Sequence, residues 1–255
     1  MQMPDNIKYL TTLSTHQIAY HYSRGNQPTV VFIHGFGSSM QGDKAVAMEE
    51  ACRRWGHAFI RFDLSGCGQS SGDFSSATID RWLADAIAVI DKLTQGPLIL
   101  VGSSMGGWLM VLIAQARQER IIHCVGLASA PDMTDYTLTS KFNRDQCEAL
   151  EKEGLIMIHN PDFDDPMIIY KLLLDSGKKH NVLKAPIMLN IPLNLIHARD
   201  DKDVPWQRSQ ILHEQWHGAP SELLLLPQGG HRLSDNKSLS VIINQLRIIL
   251  DNHCR

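Results

Sequence analysis

Apolar residues along this chain fall into two kinds of run that take turns. Thr29-Val30-Val31-Phe32-Ile33, Leu98-Ile99-Leu100-Val101 and residues 58–62, 121–128 and 193–197 are short and nearly unbroken. Their length and their β-branched or aromatic content suit strands buried on both faces. Between them, apolar positions recur three and four apart. Thr78 can cap a helix that places Ile79, Trp82, Leu83, Ala86, Ile87 and Ile90 on one face. Similar spacing predicts helices over 44–55, from the residue after Ser104 to about 117, over 205–217 and over 239–252, with a last strand at 222–226. Ile18-Ala19-Tyr20-His21-Tyr22 alternates like an edge strand, and Gly25-Asn26-Gln27-Pro28 reads as a turn. The alternation predicts an α/β fold, with a mostly parallel sheet and helices on both faces.

One segment breaks the rhythm. Residues 131–192 carry the turn signals Asn160-Pro161, Asp165-Pro166 and Ser176-Gly177 and two helix-like patches. One patch includes Phe142, Cys147, Leu150 and Leu155, and the other runs through Met167-Ile168-Ile169-Tyr170-Lys171-Leu172-Leu173-Leu174. An insertion of about 60 residues is too long for a plain connection and reads as a small helical lid on a single domain spanning 1–255. Its apolar residues Ile156, Ile158, Ile168, Leu172 and Leu173 would either cover an acyl chain or pack the lid onto the body.

Composition narrows the class further. The 255 residues are 44% hydrophobic and 20% charged, with a formal charge of -3, which provides no basic field for nucleic acid or an anionic membrane. Five scattered cysteines, Cys52, Cys67, Cys124, Cys147 and Cys254, form no C-x-x-C pair and read as reduced thiols. The first residues show neither signal-peptide nor transit-peptide character, and no uncharged run approaches the ~20 residues of a membrane span. The expectation is a cytoplasmic protein without integral membrane segment, metal or cofactor.

The chemistry centres on Val101-Gly102-Ser103-Ser104-Met105-Gly106-Gly107-Trp108. A strand ends at a glycine, a serine stands at the apex, and small residues let the helix fold back onto the strand, as the G-x-S-x-G spacing requires. A nucleophilic serine needs a base, a group that orients the base, and donors for the developing oxyanion. His231 follows Pro227-Gln228-Gly229-Gly230 just beyond the last strand, at the carboxyl edge where Ser104 stands. Asp201 lies four residues past His197 and is the expected acid, with Asp200 as fallback and Asp203 read as a cap before Pro205. The backbone N–H groups of Met105, at the helix start, and Phe36, in His34-Gly35-Phe36-Gly37, are the expected oxyanion donors. His34 reads as a brace for that loop. Cys67 is a reactive thiol only if it is exposed.

His213-Glu214-Gln215-Trp216-His217 matches H-E-x-x-H, which on a helix would present two imidazoles to zinc. It lies at the end of a short helix stopped by Gly218 and lacks a third ligand at the metalloprotease spacing, so a zinc hydrolase is the weaker alternative.

Taken together, these residues resemble the α/β-hydrolase superfamily along essentially the whole chain. The generic markers are Ile33-His34-Gly35-Phe36-Gly37, Asp63-Leu64-Ser65-Gly66-Cys67-Gly68-Gln69-Ser70 and His197-Ala198-Arg199-Asp200-Asp201 with Val204-Pro205. Phe59-Ile60-Arg61-Phe62-Asp63, the string from Val101 through Met110, and Val204-Pro205-Trp206 are similar to the mitochondrial palmitoyl-protein thioesterase and acyl-glucuronide esterase subfamily. The resemblance implies Ser104 as nucleophile, Asp201 as acid and His231 as base, in a bacterial-type relative. The expected activity is hydrolysis of carboxylic esters or thioesters, on a small molecule or an S-acylated protein. Carbon–carbon bond hydrolysis of a diketone by the same triad is the alternative.

Overall fold

The computed structural model describes residues 7–13, 15–139, 142–158 and 167–253. Elements follow in the order β1 (Lys8–Thr11), β2 (Gln17–Ser23), β3 (Asn26–Ile33), α1 (Asp43–Arg54), β4 (His57–Phe62), α2 (Ile79–Leu93), β5 (Leu98–Ser103), α3 (Met105–Ala116) and β6 (Ile121–Leu127). The irregular segment contributes α4 (Arg144–Glu153), β7 (Leu155–Ile158), β8 (Met167–Tyr170), α5 (Lys171–Gly177) and β9 (Ile187–Met188). The alternation then resumes with β10 (Leu193–Ala198), α6 (Gln207–Gln215), β11 (Trp216–His217), β12 (Ser221–Leu226) and α7 (Asn236–His253).

Eight strands form one sheet in the order β1-β2-β4-β3-β5-β6-β10-β12. Pairing is parallel from β4 through β12, while β1 and β2 are antiparallel additions at one end. Alternate residues of the central strands feed two cores. Val30, Phe32, Ile99 and Val101 pack under α1 and α7, while Val31, Ile33, Leu98 and Leu100 pack under α2 and α3. This is why the central strands read as continuous apolar runs: neither face meets water. Thr78 caps α2 as expected, its hydroxyl accepting from the Arg81 N–H at 3.1 Å.

Three expectations change in detail. β2 is not an edge strand, because β1 pairs along it from Lys8 to Thr11 and takes the edge. The stretch read as a turn is largely strand, with β3 beginning at Asn26 and shifting register before Val30. The patch from Met167 to Leu174 splits, its first four residues pairing antiparallel with β7 and only the rest forming α5. Pairing with Leu155–Ile158 overrides the helical spacing there, helped by the β-branched pair Ile168 and Ile169. The turn signals Asn160-Pro161 and Asp165-Pro166, and Cys254, lie outside the described residues.

The return half of the insertion is bonded to the body. Ser176 Oγ accepts from the Ile79 N–H at 2.9 Å and so completes the first turn of α2. Trp108 Nε1 donates to the His180 carbonyl at 2.9 Å, and within the insertion the Asp132 carboxylate accepts the N–H groups of Val182 and Leu183 at 2.7 and 3.0 Å. Ile156 and Leu173 are buried in the core beneath α2 and α3, whereas Leu172 is half exposed. Among the described residues no helix is long and apolar enough to cross a membrane.

A buried charge network fixes the loop after β3. Arg61 donates from Nε to Glu49 at 2.6 Å and from Nη1 to the Met40 carbonyl at 2.9 Å. The Met40 N–H in turn reaches Asp63 Oδ1 at 2.6 Å. Removing one partner of such a pair strands a buried charge. Arg61→Met should therefore lower unfolding free energy by about 3–5 kcal/mol, read from urea denaturation; a change within about 0.5 kcal/mol, as for an ordinary surface substitution, would contradict this assignment.

Candidate active site

Ser104 sits between β5 and α3 with φ 54° and ψ −120°, a region that a residue bearing a Cβ occupies only under strain. The turn is this tight because the backbones touch. A Cβ on Gly102 would overlap the Gly106 carbonyl, and a Cβ on Gly106 would overlap that of Ile33. The loop after β6 clamps the serine from the other side. Ser104 N–H donates to Leu127 O at 2.9 Å, and Ala130 N–H donates to Ser104 O at 3.0 Å.

From this serine a line of hydrogen bonds runs into the protein. Ser104 Oγ lies 2.9 Å from His231 Nε2, and His231 Nδ1 lies 2.8 Å from Asp201 Oδ2. The His231 side chain is 21% exposed and that of Asp201 is fully buried. Asp201 Oδ2 also meets His197 Nε2 at 2.9 Å, and Oδ1 accepts the N–H groups of Asp203 and Val204 at 2.9 and 2.8 Å. Burial alone would raise the Asp201 carboxyl. The hydrogen bonds from His197 and His231, the charge interaction with His231 and the Val204 N–H outweigh it and hold the group below the ordinary carboxylate range.

The neighbouring acids divide differently from the sequence reading. Asp200, the fallback acid, accepts the Gly230 N–H at 2.9 Å and pins the residue before His231. The residue at the N-cap position of α6, which starts at Gln207, is Trp206, and its side chain makes no capping bond. On the far side of His231, Lys44 Nζ donates to the Arg232 carbonyl. Burial pushes the Lys44 ammonium down to about 8. His231 is thus held through the backbone on both flanks.

The loop after β3 comes close to the serine, since a Cβ on Gly35 would lie 3.0 Å from Ser104 Cβ. His34, fully buried, bonds from Nδ1 to the Gly35 carbonyl at 2.8 Å and accepts the Leu64 N–H on Nε2 at 3.1 Å. Those partners assign the proton to Nδ1, and burial, the largest influence on the ring, disfavours its charged form. The Gly35 carbonyl also accepts from Ser38 N–H at 3.2 Å. Fixing that carbonyl fixes the planar peptide it belongs to, whose N–H is that of Phe36 and points the opposite way. Met105 is the first residue of α3, so its N–H has no acceptor within the helix.

A cleft of about 270 Å³ opens beside Ser104, lined by Gly35, Phe36, Lys44, His231 and Arg232 among others. His231 borders this cleft on the side of Ser104. The H-E-x-x-H string does not form a metal face. α6 ends at Gln215 and His217 belongs to β11, while His213 Nδ1 is engaged by Ser221 Oγ at 2.7 Å. Among the described residues, the ligand atoms of Asp201, Asp203 and His231 lie within 4.8 Å of one another. The Asp201 oxygens and His231 Nδ1 are already committed to hydrogen bonds there. Cys67 is buried, and burial raises its thiol to about 12, which removes it as a reactive group.

Residues 28–150 match the family described as alpha/beta hydrolase fold. The chain is 34% identical to mouse mitochondrial palmitoyl-protein thioesterase ABHD10 over 250 residues, covering 96% of this chain and 83% of that protein. The solved structure of alpha/beta hydrolase domain-containing protein 10 from mouse superposes with a TM-score of 0.89 at 32% identity, covering 97% and 99% of the two chains. A putative hydrolase from Agrobacterium vitis S4 superposes at 0.92 with 30% identity, covering 96% and 99%. The mouse, human and bovine relatives are mitochondrial, which overturns the expected cytoplasmic location. Reduced cysteines and an unremarkable net charge describe the chemistry of the fold and carry no compartment address. The chain belongs to the α/β-hydrolase superfamily, within the ABHD10-like thioesterase subfamily.

Proposed function

We propose that this enzyme cleaves carboxylic esters and thioesters with Ser104 as nucleophile, His231 as general base and Asp201 as the orienting acid. The observation that carries this reading is the unbroken hydrogen-bond line from a strained serine through His231 to a buried carboxylate. His231 Nε2 takes the Ser104 proton as Oγ attacks the acyl carbon, while Asp201 stabilises the imidazolium from Nδ1. The N–H groups of Phe36 and Met105 receive the charge that develops on the acyl oxygen. When the bond to the leaving oxygen or sulfur breaks, His231 returns its proton to the departing group. Water then gives a proton to His231, attacks the acyl carbon and releases the acid, and Ser104 recovers its proton.

The relatives are palmitoyl-protein thioesterases, and we extend long-chain acyl thioesters to this chain as its substrate class. Phe36 packs with Phe74 and Trp82 at centroid distances of 5.3 and 6.3 Å and supplies an apolar wall next to the oxyanion donors. Residues 131–192 serve in this proposal as the lid over the acyl chain on a single domain. Because Ile156 and Leu173 are buried in the core and Ile158 packs against it, the partly buried Ile168 is the better candidate for contact with substrate.

Fluorophosphonate should label the wild type and leave folded Ser104→Ala unlabelled; equal labelling of both would overturn the assignment of the nucleophile. Asp201→Asn should lower kcat by about 10⁴-fold in an acyl-thioester assay. The pH profile offers a separate check. The Asp201 carboxyl is held ionised below its ordinary value, so Asp201 should add no bend of its own to the acid limb of the profile. Log kcat/KM should fall with unit slope, and a second bend near pH ~4 would show that Asp201 is not held ionised. The same shift makes the fold bind fewer protons than the unfolded chain in acid, so Asp201 stabilises above the ordinary carboxylate value and that stability is lost as pH falls.

A further inference from the structure

The sequence marks His197 as the end of an apolar strand, and the proposed triad has no task for it. Its environment is unusual. The ring lies at the carboxyl end of β10, fully buried, and both nitrogens are occupied. Nε2 faces Asp201 Oδ2 at 2.9 Å and the Val204 carbonyl at 3.1 Å, while Nδ1 meets Ser209 Oγ at 2.7 Å. A carbonyl accepts only, so Nε2 carries a proton, shared between Val204 O and Asp201 Oδ2. The carboxylate oxygen that receives His231 Nδ1 therefore receives a second imidazole N–H as well.

We propose that His197 is a positioning residue that sets the rotation of the Asp201 carboxylate and thereby the aim of His231 at Ser104. Backbone donors alone do not fix that rotation. The N–H groups of Asp203 and Val204 both bind Oδ1, so they hold one oxygen and leave the plane free to turn about it. His197 binds the other oxygen from the side of the sheet. It is itself held by β10, by Val204 O in the same loop and by Ser209 on α6, the helix that follows that loop. Two oxygens held from separate elements define the carboxylate plane, and a fixed plane directs one lone pair of Oδ2 at His231. A misplacement of about 1 Å at such a position can cost about 10²-fold in rate.

The inference rests on Asp201 being the acid of the triad, so the experiment includes Asp201→Asn beside His197→Leu and His197→Gln, each checked for folding by thermal melting. Glutamine can present an N–H near the place of Nε2 and leucine cannot. His197→Leu should lower kcat about 10- to 100-fold with KM nearly unchanged, and His197→Gln should recover most of that loss. If the Leu and Gln variants are equally impaired, or the Leu variant retains wild-type kcat, the positioning role is overturned. If Asp201→Asn retains full activity, it is the triad assignment that falls. Should both His197 variants fail to fold, proton NMR of the unsubstituted protein decides. It should show two slowly exchanging downfield imidazole N–H protons, His231 Nδ1–H and His197 Nε2–H; absence of the second overturns the proposal.

Discussion

The constraint on which the rest of the structure depends is the contact between backbones around Ser104. β5 and α3 approach until Gly102 meets the Gly106 carbonyl, and Gly106 in turn lies against Ile33 O at the end of β3. Side chains are absent from that contact because none would fit. The close approach brings the end of β3, and with it Gly35, onto the serine. It also lets the loop after β6 bond to both sides of the Ser104 peptide unit. The positive φ of Ser104 is one consequence of this packing. The nearness of the Phe36 peptide is another, so the strain at Ser104 and the placement of the proposed oxyanion donor share a single cause.

What could be read from the sequence follows from what is local. Ser104 was legible because strand, turn and helix are adjacent in the chain and each has its own pattern. His231 and Asp201 were legible because a parallel sheet delivers the loops after its strands to one edge. The contribution of His197 was not, since its partners include Ser209 on a different element, and an imidazole ending an apolar strand looks like any buried core histidine. The pinning of Gly230 by Asp200 across 30 residues was hidden for the same reason. β1 escaped notice because Lys8-Tyr9-Leu10-Thr11 is short and mostly exposed, with little apolar contrast to read. β8 was mistaken for helix because four apolar residues fit both periods, and only pairing with β7 decides between them.

The insertion divides the molecule by kind of restraint. Its return half shares hydrogen bonds with α2 and α3, and Ile169, Leu173 and Leu174 belong to the main core. The catalytic loops are held by other means: Asp200 and Lys44 reach the backbone on either side of His231. None of these contacts passes through the insertion. Residues of the insertion can therefore vary without disturbing the hydrogen bonds that hold His231 and Asp201.

Burial of Asp201 completes the logic. A carboxylate with no exposed side-chain surface would ordinarily take up a proton, since desolvation opposes its charge. Four N–H donors, two from imidazoles and two from the backbone, supply in fixed positions what water would supply in mobile ones. In the proposed mechanism the acid is therefore already ionised and oriented before His231 acquires charge during attack. Little has to reorganise at that moment, which is the condition under which a buried electrostatic partner speeds a reaction as well as stabilising a fold. Under the proposed mechanism the partial exposure of His231 lets it exchange protons with leaving group and water, whereas Asp201 needs none because its proton inventory does not change. The burial gradient from Ser104 to Asp201 thus follows the path of the proton, and it stops where the proton stops.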